Sequence, residues 1–393
     1  MAERVRDVRE AEAILDRLAI SGLRGRGGGW FPTALKWRAV RAEGGDPVVI
    51  ANGAEGEPGS IKDRHVMASR AAAVLEGLAI AAAAVGAREG IVFLKASFDR
   101  PAAALASALA DGAAGPLRVA IARGDDSYVT GEETALLEAL EGRRPWPRPK
   151  PPLPSGSGLY GRPTLVQNVE TLSRVGAAVA SPEDYRRDET TLVSLWGHVA
   201  RPGVYEVPLG TPLAAVIAEC GQGAPAGISM IFPAGPSAPP LTAAQALTPL
   251  HPDALRAVGS GLGTASILVI GDAVCPIAIG ASLAGFFERE SCGQCPPCTV
   301  GSASLARVLR SVENGSARAR ELHDLAEVAG FMKDHGYCAH SRTAAAAVTG
   351  LLARFPADVE AHLAAGRCPR RDAAPCDPFA AASPEWQAIE AAG

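Results

Sequence analysis

Cys292, Cys295 and Cys298 form a Cys-x-x-Cys-x-x-Cys run, and a fourth cysteine, Cys338, follows well downstream. Such a run wraps one compact site with thiolates, and a distant fourth thiolate closes it. A [4Fe–4S] cluster, each iron taking one cysteine, matches that set. Zinc more often uses separated Cys-x-x-Cys pairs or Cys/His mixtures, which makes it the weaker reading. A chain that holds such a cluster moves electrons.

A second chemical group is glycine-rich. Gly25, Gly27, Gly28 and Gly29 interleave with Arg24 and Arg26, and Lys36 follows. Backbone N–H groups in such a run can close on an anion, and Lys36 adds a point charge suited to phosphate. The run is not a dinucleotide fingerprint. Trp30 occupies the last glycine position of G-x-G-x-x-G, and the loop follows a helix where a strand is required. The neighbouring aromatics Trp30 and Phe31 argue against a freely solvated loop.

Three more segments carry site-like residues. Asn52, Glu55 and Glu57 lie directly after a short strand, where α/β folds place ligand loops. Asn52 offers a donor and an acceptor, and the glutamates offer acceptors only. Tyr128 and Gly131 lead into Glu132 and Glu133, which taken singly also read as helix-dipole partners. Gln167, Asn168 and Thr171 place polar groups one turn apart, able to face one ligand or to cap a helix.

These residues need a scaffold, and the periodicity supplies one. Val5–Ile20 has apolar residues at helical spacing. Strands are expected at Pro47–Ala51, Gly90–Leu94 and Leu117–Ala122, with helices at Met67–Val85, Pro101–Ala110 and Glu132–Leu140. Strands alternating with helices predict a parallel, three-layer α/β sheet. Arg143–Pro154 is too proline-rich for regular structure. From near Thr190 a hairpin is expected (Thr191–Val199, Val204–Val207), then a helix capped by Thr211 with Pro212 in its first turn and closed at Cys220-Gly221. This suggests a β-grasp-like module. Ile267–Ile270 is a further strand, and 281–365 is helical around the cysteines. The expected domains are 1–185 (α/β, Rossmann-like), 186–265 (β-grasp-like), 266–365 (helical, iron–sulfur) and 366–393, a loosely ordered tail poor in aliphatics.

Composition narrows the class. The chain has 393 residues and a net charge of -4 with mixed signs, so no basic footprint points to nucleic acid. No apolar run approaches the roughly 18 residues of a membrane span. The charged start does not open a secretory signal, and eight cysteines in a chain this long are not a disulfide framework, so a cytoplasmic location is expected. Cys220 and Cys275 read as buried small hydrophobes. Cys368 and Cys376 are too few for another cluster and too far apart for a Cys-x-x-Cys pair; they read as free thiols, with a place in a partner's site as the alternative.

Taken in order, Gly22–Trp37, Asn52–Arg64, Gly131–Pro154, Gly161–Leu172, Glu290–Gly301 and Cys338–His340 resemble the NADH-oxidising flavoprotein of respiratory complex I (the F subunit family of NADH-quinone oxidoreductase). The same architecture recurs in diaphorase subunits of NAD-linked hydrogenases and formate dehydrogenases. The resemblance implies FMN in the α/β domain, NAD(H) against it, an SLBB-type β-grasp module, and a [4Fe–4S] cluster in a C-terminal helical bundle. It implies that Gly25, Arg26, Gly27, Gly28 and Lys36 cradle FMN phosphate and approach nucleotide. Asn52, Glu55, Gln167, Asn168 and Thr171 would complete the flavin pocket, with Tyr128, Gly131, Glu132 and Glu133 flanking flavin and nicotinamide. Phe31, Glu57 and Lys150 would meet NADH, and Cys292, Cys295, Cys298 and Cys338 would ligate the cluster. Hydride transfer needs no general acid or base, so Glu133 and Glu57, the expected catalytic pair, would act by positioning. The implied partner is a small [2Fe–2S] thioredoxin-like subunit or a ferredoxin, within a larger redox complex.

The chain departs from the family pattern at several points. Trp30 replaces a glycine, Ala54 an aspartate, and Gln167 an asparagine. Asn-Gly-Ala-Glu instead looks like the C subunit of Rnf-type ferredoxin:NAD complexes. Rings that sandwich adenine are lost at Ala39 and Leu153, each worth about 0.5–1.5 kcal/mol. Two rival readings follow: a flavin/iron–sulfur protein that exchanges electrons with ferredoxin and binds NADH poorly, and a non-catalytic scaffold. For Trp30 two roles stay open, replacing that stacking or narrowing the nucleotide site.

Overall fold

Four short runs of aliphatic and β-branched residues pair into one parallel sheet: β1 (Val48–Gly53), β2 (Glu89–Lys95), β3 (Arg118–Gly124) and β4 (Thr164–Asn168), in the order β3-β2-β1-β4. The structure, a computed structural model, describes residues 2–370, 376–380 and 383–391, with side chains from residue 9 onward. Its chain divides into two compact units, Met1–Gly56 with Ile61–Thr190, and Glu57–Ser60 with Thr191–Gly393.

In the first unit the helices are α1 (Ala2–Ser21), α2 (Thr33–Glu43), α3 (Lys62–Ser69), α4 (Ala71–Val85), α5 (Asp99–Ala110), α6 (Glu133–Leu140), α7 (Val169–Ala180) and α8 (Pro182–Arg187). β1 and β4 are almost wholly buried, as strands covered on both faces must be, whereas β3 at the edge is half exposed. Val48, Ile50, Phe93, Leu136, Leu137 and Val166 form one core cluster. α4 and α7 cross at Gly77, where a Cβ would lie 1.9 Å from the Leu172 carbonyl oxygen; only glycine permits that approach.

The three expected strands are present, and two features differ from expectation. β4 is a strand where a helix start was one reading of Gln167-Asn168; the strand ends at Asn168, which caps α7. The helix expected over Met67–Val85 is two helices, α3 and α4, bent by 94° at Arg70. No glycine or proline marks that bend. It follows from tertiary contacts, because the carboxylate of Glu55 accepts from the Asp63 and Arg64 N–H groups and holds α3 in its own direction.

In the second unit β5 (Thr190–Gly197), β6 (Gly203–Pro208), β7 (Met230–Pro236), β8 (Leu241–Thr242) and β9 (Ser266–Ile270) form a mixed sheet in the order β6-β5-β9-β7-β8. Its helices are α9 (Leu213–Ala215, continuing as a π-turn through Cys220), α10 (Pro252–Ala257), α11 (Pro276–Arg289), α12 (Pro296–Glu313), α13 (Ala319–His335), α14 (Ala339–Arg354), α15 (Pro356–Ala365) and α16 (Pro384–Ala391). Thr211 does not cap α9; its hydroxyl donates to the Pro208 carbonyl and Pro212 takes the cap position.

The expected loose tail is corrected in part. Phe379 is buried, with ring centroids 5.5 Å from Phe232 and 6.5 Å from Trp196, and α16 follows it. One large aromatic compensates for the scarcity of aliphatics. Residues 371–375, 381–382 and 392–393 of that tail lie outside the described residues. No single helix among the described residues is long and apolar enough to cross a membrane.

Candidate cofactor sites

A parallel sheet ordered 3-2-1-4 reverses direction between β1 and β4, and ligands of open α/β sheets sit beyond the carboxyl ends of the strands at that reversal. Here the two strands end on paired residues: Ala51 opposite Gln167, and Asn52 opposite Asn168. The glycine loop lies against the same end. A Cβ on Gly27 would come within 3.2 Å of Asn168, one on Gly25 within 3.6 Å of Gln167, and the Arg26 amide donates to Thr171 Oγ1 at 2.8 Å. Gly28 has φ +106°, and a Cβ on Gly29 would meet nothing within 4 Å. Open space over flexible-φ glycines at a switch point fits a phosphate-bearing group.

Several side chains expected to face a ligand are committed elsewhere. Arg26 is 1 % exposed and donates to Glu189 at 2.6 Å and to the Thr190 carbonyl at 3.3 Å. Its guanidinium stacks 4.2 Å from the Trp30 ring. Its amide is also committed, to Thr171, so the N–H groups left for a phosphate belong to the glycines that follow. Trp30 is 5 % exposed with φ +51°, and its ring lids the buried arginine. Asn52 donates to the Gly131 carbonyl at 2.9 Å and accepts from the Ala54 amide at 3.1 Å. Glu55 anchors α3. Asn168 caps α7 through Glu170 and Thr171 and donates to Asp63 at 2.7 Å. Gln167 accepts from the Trp37 indole at 3.2 Å. These residues build the walls and loops of the crevice.

Beneath the glycine loop lies a buried ionic network that sequence reasoning did not single out. Lys62, 1 % exposed, pairs with Asp63 at 2.6 Å and with Glu170 at 3.0 Å, and Glu170 also pairs with Arg174 at 3.1 Å. Burial opposes the lysine's charge, but Asp63, Glu170 and Glu55 outweigh it and raise its pKa. The usable signal was the place of Lys62, Asp63 and Glu170 inside the family-like stretches Asn52–Arg64 and Gly161–Leu172. Lys95, at the end of β2, donates to the Asp126 carbonyl at 2.9 Å beside Gly56.

The structure does bring Lys36, Glu132, Glu133 and Lys150 together. Glu133 accepts from Lys36 at 3.0 Å and from Lys150 at 2.8 Å, and Lys150 also donates to Glu132 at 2.9 Å. Glu132 caps α6, accepting from the Thr134 and Ala135 amides. Burial disfavours the Glu133 carboxylate, yet the two lysines prevail and hold its pKa at about 2. An alternating set of charges thus fixes Glu133 as an anion. Phe31 is 56 % exposed, and Leu153 is also exposed. Glu57 is grouped with the second unit, where it accepts from Ser237.

In the second unit Cys292, Cys295, Cys298 and Cys338 form no disulfide. Burial pushes Cys298 up to about 12, and among its neighbours the sulfurs of Cys295, Cys338 and Cys292 push the same way, so the four act on one another. Cys295 and Cys338 are the N-cap residues of α12 and α14, whose positive ends favour a thiolate or an anionic cluster. Three cysteine sulfurs near enough to act on Cys298, and two helix N-termini, fit a [4Fe–4S] donor set.

Comparison with known proteins gives concordant results. Residues 18–177 match the Nuo51 FMN-binding domain, 192–227 the SLBB domain, and 278–362 the NADH-ubiquinone oxidoreductase-F iron-sulfur binding region. The chain is 35% identical over 380 residues to one of the NADH-quinone oxidoreductase F subunits of Rhizobium meliloti (strain 1021), covering 91% of this chain and 90% of that one. It is 34% identical over 371 residues to the NADH-quinone oxidoreductase F subunit of Streptomyces coelicolor, covering 89% and 82%. Among solved structures, a chain of an NAD+-reducing [NiFe]-hydrogenase in the H2-reduced state superposes with a TM-score of 0.84 at 34% identity. That match covers 91% of this chain, which spans 64% of the hydrogenase chain.

Proposed function

This chain belongs to the family of NADH-quinone oxidoreductase F subunits, and on that premise we propose that it is the electron-entry protein of a redox complex, oxidising NADH at FMN and passing electrons singly through a [4Fe–4S] cluster. The observation that carries the reading is the convergence of the glycine loop, β1 and β4 at one switch point, together with Cys298 in the second unit lying close enough to Cys292, Cys295 and Cys338 to feel their charge. FMN supplies the conversion of a two-electron hydride donor into single electrons when bound.

The residues of this chain supply position and charge. The backbone of Gly27, Gly28 and Gly29 offers the phosphate cradle, and Asn52 sets the height of the Gly131 loop by its bond to that carbonyl. Glu133, kept anionic between Lys36 and Lys150, presents a fixed acceptor and holds the two lysines in place. No residue is required to move a proton in hydride transfer. Glu133 and Glu57 remain the proposed positioning pair, Glu133 in the first unit and Glu57 grouped with the second. Cys292, Cys295, Cys298 and Cys338 would hold the cluster, with the N-termini of α12 and α14 favouring its negative charge.

The proposed partner is a small [2Fe–2S] thioredoxin-like subunit or a ferredoxin, within a larger complex at the cytoplasmic side. The test is anaerobic titration of the reconstituted protein with NADH. Bleaching of the flavin by NADH is expected. A yellow protein that ignores NADH but reacts with reduced ferredoxin would overturn the nucleotide half of the reading.

A further inference from the structure

Cys275, His362 and Cys368 lie far from the Cys292–Cys298 run in sequence, yet fold together in the second unit. One ligand atom from each lies within 4.8 Å of the other two. Cys275 Sγ is 3.3 Å from His362 Nε2, and the Cys368 sulfur lies within 4.8 Å of both. We propose that these three side chains form a zinc site, separate in its ligands from the iron–sulfur cysteines.

Four observations support the site. First, His362 Nδ1 lies 2.6 Å from the Asp358 carbonyl oxygen, which can only accept. The ring therefore carries its proton on Nδ1 and turns the Nε2 lone pair toward the two sulfurs, the outer hydrogen bond that orients metal-binding histidines. Second, the separation suits the ion: Zn–S near 2.3 Å and Zn–N near 2.0 Å at a tetrahedral angle put nitrogen and sulfur about 3.5 Å apart. Third, Cys275 is the N-cap residue of the 14-residue helix α11; burial holds its free thiol up at about 11, and the positive end of the helix favours the thiolate that a bound cation would complete. Fourth, His362, itself 1 % exposed, borders a hollow of about 310 Å³ lined also by Asp358, Pro369 and Arg370, which gives an ion a way in. Two thiolates and one imidazole are a borderline-soft set that selects zinc over magnesium or calcium.

The ion would clip the segment after α15 back onto the start of α11. Two thiols lose their protons to solvent as two Zn–S bonds form, and nothing is oxidised. One tetrahedral position is left for water. Cys275 is then more than a buried hydrophobe, and Cys368 is not a solitary thiol, contrary to the expectation for both.

The experiment uses the full chain with flavin and iron reconstituted, then incubated with Zn²⁺ and desalted. Metals are measured by elemental analysis, and affinity by competition with a chromogenic chelator. The wild type is expected to retain about one zinc per chain besides its iron. Cys368→Ser and His362→Gln should each weaken zinc binding by about 100-fold or more while leaving iron and flavin content unchanged. Cys298→Ser should do the reverse, losing iron and keeping zinc. Because Cys368 is only partly buried, its variant is the one least exposed to misfolding. Zinc uptake that survives Cys368→Ser, zinc that disappears with Cys298→Ser, or a Cys275–Cys368 disulfide in the unreduced protein would each overturn the proposal.

Discussion

Asn52 and Asn168 face each other as register partners in the parallel pair β1/β4, and each turns its carboxamide onto a loop that shapes the crevice. Asn52 ties down Gly131 and Ala54; Asn168 caps α7 and reaches Asp63. The strand ends therefore act as the fixed frame from which both loops hang.

Asn168→Ala removes a helix cap and leaves a buried carboxylate short of a donor. We expect a loss of about 2 kcal/mol in stability, read by denaturant unfolding, together with weaker retention of FMN on dialysis. Unchanged stability would show that the cap is redundant.

Lys62→Met takes the shared cation from buried Asp63 and Glu170, leaving Glu170 to Arg174. Breaking such a pair from one side costs about 3–5 kcal/mol. The same Met placed with Glu170→Gln should recover part of that loss, which a double-mutant cycle will measure.

Glu133 has its pKa lowered from 4.5 to about 2, so its contribution is complete above pH 4.5 and is lost as pH falls toward 2. With its side chain 27% exposed, solvent screening reduces that contribution to about 1–2 kcal/mol. Glu133→Gln should lower stability at pH 7 by that amount and flatten the acid limb of the melting-temperature profile. An acid limb as steep as that of the wild type would remove Glu133 from the account.

Trp30→Gly relieves a positive φ, worth about 1–2 kcal/mol, but uncovers the buried Arg26 and deletes a packed indole, worth about 3–5 kcal/mol. A net loss of about 2 kcal/mol is expected, with KM for NADH shifting less than about threefold because the ring lids an arginine rather than lining the nucleotide site.

Cys338→Ser should abolish the cluster's low-temperature paramagnetic signal after dithionite reduction while FMN absorbance and its bleaching by NADH persist. The glycine loop and β1/β4 belong to the first unit and Cys338 to the second. Loss of both chromophores together would contradict that separation.

Local chemistry was legible without coordinates. Hydrophobic runs marked β1 and β2, since a buried strand must be a short aliphatic stretch, and alternation with helices marked the half-exposed β3; the Cys-x-x-Cys-x-x-Cys spacing marked candidate cluster ligands, since the proximity of those three is carried by the chain itself. Lys36, Glu133 and Lys150 are site candidates from sequence, and in the fold they do meet. What needed the tertiary structure was the direction of side chains and the partners that only folding brings near. Arg26 turning inward under Trp30, the bend at Arg70, the Lys62–Glu170 pair and the meeting of Cys275 with Cys368 all depend on contacts made in three dimensions. No periodicity encodes such meetings, because burial free energy depends on which groups neutralise one another in space and not on their order along the chain.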